Sequence, residues 1–150
     1  MGILVGKSFP VRPLNILVVE DNVMIAMCLE DMLVNLKCTV VKATRLEKAM
    51  QELARGHFDG ALLDVNIAGM PVYPLADALT TLAVPFAFVT GHEPDSLPAA
   101  YGEHPVLAKP LIELQIVQTI KTFTGKLPLR TSISATWARE HRHLPVFCPV

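Results

Sequence analysis

The stretch Gly60-Ala61-Leu62-Leu63 carries no charge and stops abruptly at a carboxylate, Asp64. A run this short, apolar at every position, reads as a strand buried on both faces of a parallel sheet, since a half-solvated strand would alternate apolar with polar residues. Such a strand needs helices on both sides of it. In open α/β sheets ligands gather just beyond the carboxyl ends of the strands, so Asp64 stands either at a place of chemistry or at an ordinary strand end. Gly69 and Pro71 punctuate the short loop behind it.

The same figure recurs along the chain. Asn15-Ile16-Leu17-Val18-Val19 is a compact β-rich run ending in two acids, Glu20 and Asp21. Ile25, Leu29, Met32, Leu33 and Leu36 then fall on one stripe, with Glu30, Asp31 and Asn35 off it, which predicts a helix over residues 22–36. Cys38-Thr39-Val40-Val41 is a second short strand. Thr44-Arg45-Leu46-Glu47 has the form of a capping box, and Leu46, Ala49, Met50 and Leu53 supply the inward face of a helix stopped at Gly56. Residues 72–81 predict a third helix with Leu75, Ala76 and Leu79 inward. Pro85-Phe86-Ala87-Phe88-Val89 is a buried strand closed by Thr90 and Gly91. Residues 92–104 contain Pro94, Pro98 and Gly102, so any helix there is short or irregular. Pro105-Val106-Leu107-Ala108 is a last strand ending at Lys109-Pro110. Ile112, Ile116, Val117, Ile120 and Phe123 form the apolar face of a helix over residues 111–123, ended by Gly125. Strands alternating with helices in this way imply one parallel sheet covered on both faces and joined by right-handed crossovers.

At 150 residues the chain amounts to one domain, and 51% hydrophobic with 18% charged residues argues for a packed core. A formal net charge of -1 supplies no field drawing it to nucleic acid or an anionic membrane. No apolar run approaches the ~18 residues of a membrane span. The apolar segment in residues 1–7 is too short for a secretory signal, and Gly6 occupies the place where a myristoylation signal wants Ser or Thr. A cytoplasmic protein without nucleic-acid or membrane partners is expected. Cys28, Cys38 and Cys148 are odd in number and lack CxxC spacing, so neither a disulfide framework nor a zinc cluster is indicated; Cys28 and Cys38 read as small buried hydrophobes.

Glu20 and Asp21 follow the first strand, Asp64 the third, Thr90 the fourth and Lys109 the fifth. In a parallel sheet those exits share one edge. Carboxylates within ~4 Å repel by roughly 4 kcal/mol per pair at an effective dielectric near 20, so the acids want a compensating cation. Oxygen-only ligands with room for water suit Mg²⁺ better than zinc. A carboxylate nucleophile, a divalent cation, a lysine ammonium and a hydroxyl are the parts needed to accept a phosphoryl group, whose charge spreads over its equatorial oxygens. No glycine-rich cradle for a nucleotide is present. Each residue alone has an ordinary explanation: Glu20 and Asp21 as a helix start, Thr90-Gly91 as a turn, Lys109-Pro110 as the lead into a helix. Their joint placement is what points to a site.

On these residues, positions 15–124 resemble the receiver domain of two-component response regulators. Within that family the chain looks most like the alphaproteobacterial group named for a Pro-Phe-x-Phe-Ala-Thr-Gly-Tyr motif, written here Pro85-Phe86-Ala87-Phe88-Val89-Thr90-Gly91-His92. Val72-Tyr73-Pro74-Leu75-Ala76-Asp77-Ala78-Leu79 and Pro105-Val106-Leu107-Ala108-Lys109-Pro110 are similar to that group as well. The resemblance implies a flavodoxin-like, doubly wound (βα)5 α/β fold with five parallel strands in the order 2-1-3-4-5, preceded by an arm at residues 1–14 and followed by a tail at 125–150. It implies Asp64 as phosphoacceptor, and Glu20, Asp21, Asp64 and the Asn66 backbone carbonyl as Mg²⁺ ligands. Thr90 and Lys109 would hold the phosphoryl oxygens, and the Lys109-Pro110 bond would be cis. The implied donor is a phosphohistidine on a sensor histidine kinase. The outcome is a stand-alone switch with altered affinity for a downstream protein partner, catalysing its own modification without a turnover substrate.

Departures from the family matter too. Most receivers carry Tyr or Phe three residues before the lysine; Val106 stands there, so a rotating ring is not the readout, and ordering of residues 92–104 is the alternative. The motif's Ala and Tyr have become Val89 and His92. Two rivals share the fold: an adaptor that is never phosphorylated, and an aspartate-nucleophile phosphohydrolase, whose chemistry usually wants an acid where this chain has Asn66. Leu111 and Leu114 flank the main stripe of the last helix, either packing under the tail or offering a partner or homodimer face. Lys126, Arg130, Arg139 and Arg142 make the tail locally basic, with a short helix over residues 134–142 carrying Trp137. The tail is too short for a DNA-binding domain with its own core, and His141, His143 and Cys148 read as soft surface residues rather than metal ligands.

Overall fold

Alternate residues of the first strand go to opposite cores, as a strand covered on both faces requires. Ile16 and Val18 pack with Ile25, Leu29 and Leu33 and with Ile116 and Ile120, whereas Leu17 and Val19 pack with Ala49 and Leu53 and with Leu75, Ala76 and Leu79. The computed structural model describes residues 13–91 and 97–124. The expectations for residues 1–12, His92, the tail helix with Trp137, the basic tail residues and Cys148 lie outside them.

The elements run β1 (Asn15–Val19), α1 (Val23–Asn35), β2 (Thr39–Ala43), α2 (Leu46–Arg55), β3 (Gly60–Asp64), β4 (Asn66–Ile67), β5 (Met70–Pro71), α3 (Tyr73–Thr81), β6 (Phe86–Thr90), a 3₁₀ turn (Ala99–Tyr101), β7 (Val106–Ala108) and α4 (Glu113–Thr124). The main sheet is ordered β2-β1-β3-β6-β7 with every pairing parallel. Setting aside the small antiparallel hairpin of β4 and β5, that is the expected 2-1-3-4-5 order. α1 and α4 cover one face, α2 and α3 the other. No helix among the described residues is long and apolar enough to cross a membrane.

Helix ends explain where the chain turns. Asn22 caps α1, its Oδ1 accepting from the Met24 and Ile25 amides at 3.0 and 3.2 Å. α1 stops in a Schellman arrangement, with Cys38 N–H on the Leu33 carbonyl and Lys37 N–H on that of Val34. α3 stops likewise, through Val84 to Leu79 and Ala83 to Thr80. Lys37 and Ala83 take the left-handed conformation (φ 69° and 59°) usually given to glycine. These stops therefore left no glycine signal in the sequence.

Four expectations need correction. Thr44 does not cap α2: the N-cap is Arg45, without a side-chain bond, so the hydroxyl sits one residue too early for the box. Met50 is 40% exposed, because the 100° helical step from buried Ala49 carries it off a stripe only one residue wide. Leu111 is fully buried and Ile112 42% exposed, the reverse of the expectation; both precede α4, where the 3.6-residue period does not hold. Cys38 is buried, but Cys28 is only partly so.

Close approach of α4 to β3 sets one stringent position. A β-carbon at Gly60 would overlap the Phe123 ring. Gly60→Ala is expected to destabilise the fold by about 1–3 kcal/mol through overpacking, read as a lower denaturation midpoint. Phe123→Leu in the same chain is expected to return part of that loss, since the overlap is with the ring.

Candidate functional site

Register brings the strand exits level. Val19 pairs with Leu63, Asp64 with Val89, and Thr90 with Ala108, the residue before Lys109. The Lys109 amide donates to the Thr90 carbonyl at 2.9 Å, tying the β7 exit to that of β6. Residues distant in the chain thus meet at one edge of the sheet.

Lys109 spans that edge. Its Nζ lies 3.1 Å from Asp64 Oδ2 and 3.1 Å from Glu20 Oε1, with the lysine side chain 10% exposed and that of Glu20 1%. The contact to Asp64 is a hydrogen bond. Glu20 Oε1 is close enough for an ion pair but off the hydrogen-bonding line, and stays buried without a hydrogen bond among the described residues. Glu20 Oε2 accepts from the Asn22 amide at 3.1 Å.

Glu20, Asp21 and Asp64 each offer an oxygen within 4.8 Å of the others. Full charges at that spacing repel by about 3 kcal/mol per pair at an effective dielectric near 20. Burial first, then the charge of Asp64, pushes the Glu20 pKa up to about 7, against the opposing pull of the Asn22 N–H and Lys109. Burial by itself would lower Lys109, but the two carboxylates outweigh it and hold the ammonium above its ordinary pKa. Three acids share one ammonium, Glu20 Oε1 is buried with an ion pair but no well-aligned hydrogen bond, and the ligands on offer are hard oxygens. That donor set fits a divalent cation of the Mg²⁺ kind.

The remaining expected residues border the pocket. Asp21 is exposed, and its Oδ2 accepts from the Ala68 amide at 2.8 Å. The Asn66 amide reaches Asp64 Oδ1 at 3.4 Å, a long bond. Thr90 is buried at the end of β6. Val106 lies partly buried against the core of the α2–α3 face, and Lys109-Pro110 is cis. Sequence reasoning missed two contributors, both backbone donors: Asn22 N–H on Glu20 and Ala68 N–H on Asp21. The first left no mark, since the cap signal of Asn22 concerns its side chain and not its own N–H. The second leaves no trace in residue type.

Comparison with known proteins agrees with this fold. The response regulator receiver domain family matches residues 16–121. The solution structure of SdrG from Sphingomonas melonis Fr1 is 35% identical, covering 75% of this chain and 97% of that one with a TM-score of 0.68. The BeF3-activated conformation of SdrG from Pseudomonas melonis Fr1 is likewise 35% identical, with 74% and 96% coverage and a TM-score of 0.64. TrrA from Thermotoga maritima, in complex with Mg²⁺-BeF, is 18% identical and shares the fold over 73% of this chain and 97% of its own, TM-score 0.65. No curated relative matches the chain. With its acids, lysine and cis proline on one edge of a five-stranded sheet, and with more than a third of its aligned residues shared with SdrG, the chain belongs to the response regulator receiver domain family.

Proposed function

We propose that the chain is a cytoplasmic phosphoacceptor switch in which Asp64 takes a phosphoryl group from the phosphohistidine of a sensor histidine kinase. The observation that carries the proposal is Lys109 Nζ held 3.1 Å from both Asp64 and Glu20, a cation poised over the nucleophile in an acidic pocket. Glu20, Asp21, Asp64 and the Asn66 backbone carbonyl would hold Mg²⁺. When bound, Mg²⁺ supplies the neutralisation that lets an anionic nucleophile approach an anionic phosphoryl group. A carboxylate oxygen of Asp64 attacks phosphorus in line with the donor nitrogen; the P–O bond forms, the P–N bond breaks and its electron pair stays on the imidazole. Lys109 then exchanges its bond to Asp64 for the transferred oxygens, with the Thr90 hydroxyl as a second donor. SdrG, 35% identical, has a BeF3-activated conformation, and TrrA, which shares the fold, forms a complex with Mg²⁺-BeF; both accord with this reading. The run Pro85-Phe86-Ala87-Phe88-Val89-Thr90-Gly91, with Val89 where the motif has Ala, supports reading the chain as akin to the alphaproteobacterial motif group.

Asn66 supports a switch over a phosphohydrolase. It is not an acid, and its Oδ1 is engaged by the Gly69 amide at 2.8 Å. The modified domain is read by a downstream protein, and exposed Leu114 on α4, with Ile112 just ahead of the helix, offers an apolar face for that partner or a second copy. Intact mass after incubation with a small phosphodonor and Mg²⁺ tests the proposal. The expected result is one phosphoryl group per chain. No addition would favour the adaptor, and continuous turnover of donor the phosphohydrolase.

A further inference from the structure

We infer that the Asn66 side chain is a positioning residue for the acidic pocket: by closing the Ala68-Gly69 turn it holds the Ala68 N–H on Asp21, and so presets that acid beside Asp64. The inference rests on the Mg²⁺ reading above and deepens it.

The hairpin behind Asp64 needs a clasp. β4 and β5 are two residues each, paired Asn66 to Pro71 and Ile67 to Met70, and so short a ladder does not hold itself in water. Both turn residues adopt left-handed backbone, Ala68 at φ 52° and Gly69 at φ 86°, as two-residue hairpins demand. Glycine does this freely, but alanine resists it. Three contacts oppose that resistance. Asn66 Oδ1 accepts from the Gly69 N–H at 2.8 Å, buried Ile67 anchors the strand in the core, and the Val72 N–H closes the base on the Val65 carbonyl at 2.9 Å. Of these, the Asn66 bond alone acts at the tip, where the Ala68 N–H meets Asp21 Oδ2 at 2.8 Å.

The consequence falls on Asp21. It is exposed at the rim and contributes an oxygen to the three-acid cluster. Bound to the Ala68 N–H through Oδ2, its carboxylate is restrained in orientation beside Glu20 and Asp64. Outer-shell partners of this kind govern metal affinity by orienting ligands in advance.

Wild type, Asn66→Ala, Asn66→Gln and Asn66→Ser all keep the residue-66 carbonyl. Hydrogen exchange of the Ala68 amide in metal-free protein and calorimetric titration with Mg²⁺ are the readouts, with thermal melting beside them. Asn66→Ala is expected to speed Ala68 exchange and weaken Mg²⁺ binding by about 10-fold, the lower end for loss of an outer-shell partner. Asn66→Gln, its carboxamide one methylene too far out, is expected to behave alike, so the test stands if alanine does not fold. Asn66→Ser is expected to restore both readouts in part, because its hydroxyl, one atom shorter, can still accept from a nearby backbone N–H as serine does in caps and turns. A merely structural role would move melting but not Mg²⁺ affinity in the folded variants. Unchanged Mg²⁺ affinity, or an Ala68 amide still protected in Asn66→Ala and Asn66→Gln, would overturn the inference while the pocket reading stood. Failure of wild type itself to bind Mg²⁺ would remove that reading, and this inference with it.

Discussion

Asp64→Asn is expected to take up no phosphoryl group from a small phosphodonor with Mg²⁺, initial incorporation falling by more than about 10³-fold, the scale on which loss of a nucleophile acts. The amide keeps the volume of the side chain but has no anionic oxygen to form the acyl phosphate. The fold should survive. Asp64 contributes to the repulsion that raises Glu20, and Lys109 retains Glu20 as its partner at 3.1 Å. A circular dichroism spectrum and melting point near those of wild type, or above, are therefore expected beside the lost reactivity, as when a functional charge is removed from a crowded site. Phosphoryl incorporation at the wild-type rate in Asp64→Asn would place the acceptor elsewhere and end the proposed mechanism.

Metal-free protein is expected to lose stability between pH 4.5 and about 7. Glu20 has its pKa raised in the fold from 4.5 to about 7, so the native state keeps a proton that the unfolded chain has already released. Stability from this group is fully present below 4.5, declines through the window and is gone above 7. At 1.36 kcal/mol per pKa unit the whole effect is on the order of 3 kcal/mol. Lys109, also raised, loses its contribution only above 10.5, outside the window. Glu20→Gln cannot titrate. It should therefore flatten the profile, matching wild type near pH 4.5 and exceeding it at pH 8 in the absence of metal. Added Mg²⁺ opposes the proton at the same pocket, so Mg²⁺ affinity should rise from pH 5 to pH 7 as Glu20 ionises. Denaturant melts at several pH values, with and without Mg²⁺, measure all of this. An identical decline in Glu20→Gln would assign the pH dependence to another group.

Much of the architecture was legible because a buried parallel strand has a distinctive local signature. Gly60 to Leu63 and Phe86 to Val89 are apolar at every position, and both are buried throughout. Helical periods over residues 22–36, 46–53, 72–81 and 111–123 lie between or after most of the strands, which is enough to imply the sheet and its two layers. Site candidates were legible for the same reason, since a strand exit is a position in the sequence. Where local pattern competed with packing, it failed. Thr44-Arg45-Leu46-Glu47 reads as a capping box, yet the helix begins one residue later. Leu111 and Ile112 carry the same hydropathy, and only the start of α4 at Glu113 decides which of them is buried.

The sequence by itself determined the alternation of strands and helices, and with it the set of residues able to reach one sheet edge, because burial and period act between neighbours along the chain. Only the tertiary structure decided how those residues share charge: Lys109 lying between Glu20 and Asp64, and an alanine amide holding Asp21. Those contacts join segments far apart in the chain, and backbone donors and the burial of a carboxylate are encoded by what packs around them rather than by their own letter.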